Sequence, residues 1–216
     1  MMADTIFKLL GEYHKAVYPM PYIFIILALI IFWLLFSEYK YKNIFITTIL
    51  GFFWFWSGLV LFTMHVASFM PLTYALQGVL FPIQGLLFFH LAFSSKNLEC
   101  RYQKTFVSGF GLLTMFFAVF IYPIIGNFTG HFYPEAPVFG DPCPLTIFTL
   151  GLFLTSVKKV ELKVYLIPFF WAMMGFVAVF KLGIYVDIAE IIFGFISLYL
   201  LVRGVNINDK TNAVLS

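Results

Sequence analysis

Charge is what this chain has least of. Only 11 % of its 216 residues are Asp, Glu, Lys or Arg, while 62 % are hydrophobic. A soluble domain carries roughly 25 % charged residues to cover its surface, so a soluble globular fold is excluded. The basic residues are scattered between apolar runs, and a net charge of +3 makes no basic patch, so nucleic acid is excluded as a partner. Cysteine is almost missing: Cys100 and Cys143 make no disulfide framework. There is no Walker loop, dinucleotide fingerprint, His-Glu-x-x-His zinc pair or serine elbow, so the sequence names no cofactor. The first 20 residues carry Asp4, Lys8, Glu12 and Lys15 where a cleavable signal peptide would have an unbroken apolar core, and none is expected.

What is there is a series of long apolar runs, so the bilayer is the expected solvent and partner. Seven spans are expected, at about 21–37, 44–64, 71–94, 105–125, 144–157, 164–180 and 184–202. A sheet is excluded, because open edges do not exist in lipid and no ten-residue alternation appears. The expected fold is an all-α polytopic helix bundle over residues 19–204, with a tail at 205–216. With the N-terminus outside, Lys40, Lys42, Lys96, Arg101, Lys104, Lys158, Lys159, Lys163, Arg203 and Lys210 all face the cytoplasm, and only Lys8, Lys15 and Lys181 face out. That split is the positive-inside pattern of an inner-membrane protein, and it places the two cysteines on opposite sides, unpaired. Residues 1–18 read as an amphipathic surface helix: Ile6, Leu10, Tyr13 and Val17 share one face, with Lys8, Glu12 and Lys15 on another.

Spans two and six share a pattern. "FFWFWSGLV" from Phe52 and "FFWAMMGFV" from Phe169 align Trp54 with Trp171 and Gly58 with Gly175. A 3+1+3 parallel repeat would produce this, as it does in some solute carriers; chance matching in a Phe-rich chain is the other reading. On the first reading the two Trp-Gly pairs wall a midplane pocket, each Gly allowing close helix approach. Span three carries Thr73, Gln77 and Gln84 on one face, explained equally by helix-to-helix hydrogen bonds or by a conduction path.

The outer loop at 126–143 is stiff and aromatic, and span five after it is short for a core of about 30 Å. The loop is therefore expected to fold in as a lid or vestibule wall, with Pro142 and Pro144 starting the helix. Span seven enters from the same side carrying Asp187 and Glu190, three residues apart and so on one helix face. Carboxylates within a span mark function by default. With His131, Glu135, Asp141 and Cys143 they form a candidate outer polar cluster, suited to a cation or proton. A metal is chemically compatible with these side chains, although no tight ligand spacing marks one.

The stretches "GHFYPEAPVFGDPCPLTIFTLGL" and "IPFFWAMMGFVAVFKLGIYVD" carry a resemblance. Gly130-His131, Tyr133-Pro134, Pro137, Phe139-Gly140, Pro142-Cys143-Pro144, Thr146 to Thr149, Trp171-Ala172, Gly183 and Asp187 resemble the domain of unknown function 6064 family of bacterial multi-spanning membrane proteins. The resemblance implies a membrane bundle and carries no activity. The functional expectation is a small carrier or channel for a cation, a proton-coupled solute or a small neutral molecule. Two alternatives stand beside it: an intramembrane enzyme or metal-binding protein at the outer leaflet, and a non-catalytic subunit. Oligomeric state is left open.

Overall fold

The structure, a computed structural model, describes residues 2–66, 71–94, 98–128 and 132–214. The helices are α1 (Met2–Ala16), α2 (Met20–Phe36), α3 (Lys42–Trp56), α4 (Pro71–Ala92), α5 (Phe106–Phe116), α6 (Tyr122–Phe128), α7 (Pro142–Phe153), α8 (Leu162–Val177) and α9 (Ile188–Val214). Three of these rods contain wider, π-helical turns: Ser57–Val66 extends α3, Phe117–Ile121 joins α5 to α6, and Ala178–Leu182 extends α8. Among the described residues there is no strand, only two isolated bridges.

Every expected run holds a helix, but the count of seven crossings is not what helix length shows. Lys42–Val66, Phe106–Gly126, Leu162–Leu182 and Tyr185–Val202 are each long and apolar enough to cross a bilayer. The pair Asp4–Ala16 and Met20–Phe36, bent by 84°, makes a fifth if taken as one span, while Pro142–Phe153 is apolar but shorter.

The outward faces are apolar. α2 buries Phe24, Ala28 and Ile31 and exposes Ile26, Leu29 and Trp33. α9 exposes Ile188, Ile192, Phe195 and Tyr199, spaced four, three and four apart, and turns Glu190 and Ser197 inward. Apolar stripes of this length are a liability in water and are suited to hydrocarbon. α7 is different: from Pro144 to Phe153 every residue is buried. A helix apolar on all sides belongs inside other helices. Its 12 residues reach only about 18 Å, and it stands as a central post against α3, α5, α8 and α9. Span five was expected to run to residue 157; the helix instead ends at Phe153.

The two ends of the bundle differ in charge. Backbone bonds from Arg101 to Thr155, Tyr102 to Leu35 and Val157 to Glu99 knit the last turn of α2 and the segments before α5 and after α7 into one layer. That layer carries Lys40, Lys42, Arg101, Lys104, Lys158, Lys159 and Lys163. The loop before α7 closes the other end. Phe139 is wedged between Phe53 and Phe148, at ring distances of 5.5 and 5.1 Å. Ser57 Oγ donates to the Gly140 carbonyl at 2.9 Å. Gly140 has φ of +110°, and a Cβ there would meet the Phe24 ring at 2.9 Å, so glycine is required on both counts.

Candidate functional site

The site begins with α1. Its apolar stripe turns Ile6, Leu10 and Tyr13 toward the bundle and leaves Lys8, Glu12 and Lys15 exposed. The helix is a cover as well as an amphipathic surface element: Thr5, Ile6, Phe7, Leu9 and Leu10 form one wall of a cavity of about 210 Å³. His14, fully buried, fixes α1 to the loop. Its Nε2 lies 3.0 Å from Asp141 Oδ1, and its Nδ1 lies 2.6 Å from the Pro134 carbonyl. Both ring nitrogens face oxygen acceptors, an arrangement that imidazolium satisfies with its two N–H groups. Burial pulls the His14 pKa down, but the charge and hydrogen bond of Asp141 outweigh it and the net shift is upward. The Asp141 carboxylate also accepts from the Val138 amide at 2.8 Å.

Beneath α1, Cys143, Asp187 and Glu190 meet. Cys143 sits in the first turn of α7, between Pro142 and Pro144. Gly183, at φ +76°, ends the turns after α8 in the left-handed conformation. A 3-10 turn over Tyr185–Asp187 then starts α9 and presents Asp187 and Glu190 one turn apart. The thiol and the two carboxylates all lie within 4.8 Å of one another. Asp187 is 2 % exposed and Glu190 1 %. Tyr122 donates its hydroxyl hydrogen to Asp187. Lys181, six residues before Asp187, is exposed, and among the described residues no ion pair joins it to either acid.

The cavity also contains polar atoms without partners. Glu190 Oε1, Gln77 Oε1 and Trp171 Nε1 are buried and make no hydrogen bond, and all three residues line it. The rest of the wall is mainly apolar, including Leu61, Phe62, Met174 and Ile184. Two of the π-helical segments line this region, with Leu61, Phe62 and Val66 from the first and Ala178 and Leu182 from the third, and Tyr122 directly follows the second. Wide turns of this kind recur at functional sites.

Of the residues singled out from sequence, Cys143, Asp187 and Glu190 come together, and Asp141 lines the same cavity while bonded to His14. Glu135 packs instead against α1, where a Cβ on Gly11 would meet its side chain at 2.9 Å. His131 lies outside the described residues, as does the side chain of Thr73. The span-three face divides: Gln77 lines the cavity, whereas Gln84 Nε2 donates to the Val164 carbonyl on α8 at 3.0 Å. The two tryptophans are not equivalent. Trp54 is a core residue donating to Thr149 Oγ1 at 2.9 Å, and only Trp171 reaches the cavity. Both glycines do admit a neighbour: a Cβ at Gly58 would lie 2.2 Å from Pro82 of α4, and one at Gly175 would lie 2.9 Å from Ile191 of α9.

Sequence reasoning missed His14 and Tyr122. His14 stands beside the apolar stripe of α1, a position that marks it as facing protein, but its partner is 127 residues away. The two free cysteines sit at opposite ends of α7. Cys100 lies against Leu152, with burial pushing its thiol up to about 12.

Neither the curated proteins nor the solved structures contain a match to the chain. Residues 3–211 match a family described as a family of unknown function, DUF6064. That match covers nearly the whole chain, including α1, the loop before α7 and the acid pair of α9, and the chain belongs to this family.

Proposed function

We propose that this is a seven-pass integral membrane protein with its N-terminus outside and its C-terminus in the cytoplasm. On this reading it is a small carrier or channel for a cation or a proton-coupled or small neutral solute. The cavity under α1 is the binding site, with Asp187 and Glu190 as its charge-bearing groups. The apolar outer stripes and the lysine-rich end support the placement in the membrane. The observation that carries the binding role is the set of unpartnered atoms Glu190 Oε1, Gln77 Oε1 and Trp171 Nε1 around one cavity. A buried polar group without a partner costs about 1–3 kcal/mol, and more when charged, so three around one space mark where a ligand belongs. An enzyme is less well supported, because Cys143 faces carboxylates rather than a histidine that would activate it.

The test is uptake of labelled methylammonium, rubidium and zinc into proteoliposomes. The expected result is accumulation of one of them that falls at least about tenfold, a difference of about 1.4 kcal/mol, in Asp187→Asn plus Glu190→Gln. Uptake unchanged in that variant removes the acid pair from the path.

A further inference from the structure

We propose that Cys143, Asp187 and Glu190 are the ligands of a divalent transition-metal cation of the zinc class, with the remaining coordination position facing the cavity. The argument starts from the donor set. A thiolate and two carboxylates, drawn from α7, the 3-10 turn before α9 and α9 itself, converge with their ligand atoms within 4.8 Å of one another. Ligand atoms around a tetrahedral zinc stand roughly 3.5 Å apart, so small rotations of the carboxylates close the site around an ion. The sulfur decides the metal class. Thiolate disfavours the hard cations calcium and magnesium, which take oxygen, and favours zinc, cobalt or cadmium.

Charge points the same way. Two carboxylates and a thiol share one buried space, and among the described residues no cation is paired with them; Lys181 is exposed. A divalent ion replaces their protons and satisfies all three at once. A second observation comes from a different helix. Gln77 on α4 is 5 % exposed, lines the same cavity, and has an oxygen without a partner. It is a neutral donor facing the open side of the site. Tyr122 holds the orientation of Asp187 by donating to it, the role that outer hydrogen-bond partners play around metal ligands. Gly175 lets α8 pack close beside the acids: a Cβ there would stand 2.9 Å from the Ile191 side chain and 3.2 Å from the Asp187 carbonyl.

Binding of the ion stands apart from the carrier reading; only the idea that the ion is cargo rests on it. The experiment is titration of the purified, detergent-solubilised full chain with Co²⁺. The expected result is a thiolate-to-cobalt charge-transfer band saturating at one ion per chain and displaced by Zn²⁺. The band persists in Cys100→Ser and is lost in Cys143→Ser. Affinity falls at least about tenfold in Glu190→Gln, and about 10–100-fold in Tyr122→Phe as for other outer-shell partners. Size-exclusion profile and helical circular dichroism identify the variants that remain folded, and Glu190→Gln and Tyr122→Phe test the site if Cys143→Ser does not fold. A folded wild-type protein without the band, or a band unaltered by Cys143→Ser or Glu190→Gln, overturns the site. Zinc that binds at equilibrium but is not taken up by proteoliposomes upholds the site and removes it from any transport path. Rubidium or methylammonium uptake by a protein that shows no band overturns the site and leaves the carrier reading intact.

Discussion

Trp54 and Trp171 share a sequence neighbourhood and divide the work of the bundle between them. The Trp54 ring lies 4.5 Å from Phe81, and its N–H is spent on Thr149. Trp171 meets the same Phe81 edge-on at 5.0 Å, but its N–H has no partner. Trp54→Phe therefore removes a buried hydrogen bond and part of a packed ring, and is expected to cost about 2–3 kcal/mol. Trp171→Phe removes no hydrogen bond, and is expected to cost less stability while changing whatever the cavity holds. Thermal unfolding of the two variants in detergent distinguishes them, and equal losses would contradict the assignment. The acid pair was legible at this scale because two carboxylates three apart in an apolar run have few dull explanations. Cys143 was legible only as a member of a stiff loop, since nothing local says that the start of α7 meets the start of α9. The inequality of the tryptophans was not legible at all, because it depends on which helix each ring meets.

At the scale of elements, α1 is a cover held by one charged contact. His14 faces Asp141, the Pro134 carbonyl and the rings of Tyr13 and Tyr133, the last at 6.2 Å. Its pKa is raised in the docked state, so the docking energy it supplies is fully present below about pH 6.5, the ordinary histidine range, and is lost as pH climbs through the raised value. Hydrogen exchange over residues 2–16 should therefore speed up from mildly acidic to alkaline pH beyond the intrinsic rate, and His14→Gln should flatten that extra slope. His14→Ala leaves Asp141 without its partner and should weaken docking by about 3 kcal/mol; a slope that survives either change would separate the cover from this pair. The amphipathic pattern of α1 showed which face is apolar but not what it covers, since lipid and protein both accept Ile6 and Leu10. For α7 the sequence showed a run too short to span and a folded-in loop before it. It did not show that the helix is enclosed on all sides, because that depends on α3, α5, α8 and α9 closing around it.

At the scale of the molecule, α9 starts at the cavity end and runs toward the lysine-rich end, while α1 lies at the cavity end. In the proposed topology the N-terminal helix and the end of α9 lie on opposite sides of the membrane, which is an odd number of crossings. Four crossings, the number of single helices long enough to span unaided, would return both ends to one side. The difference turns on α2, α4 and α7, which are not among those four. Lysine placement sets the direction in the proposed topology: positive charge stays on the cytoplasmic side, which has the cavity and its cover facing out. Single cysteines introduced at Glu12, Phe132 and Lys181, in a chain carrying Cys100→Ser and Cys143→Ser, should react with a membrane-impermeant maleimide in intact spheroplasts. Cysteines at Lys40, Lys104 and Lys159 should react only after permeabilisation. All six positions are exposed, so a failure to label reports sidedness rather than burial. This pattern fixes the crossings by α2, by α5 with α6, by α7 and by α8; a loop that labels from the wrong side shows that a helix next to it does not cross. Labelling of Glu12 and Lys159 from the same side would abolish the proposed topology, and with it the placement of the acid pair beneath an outward-facing cover.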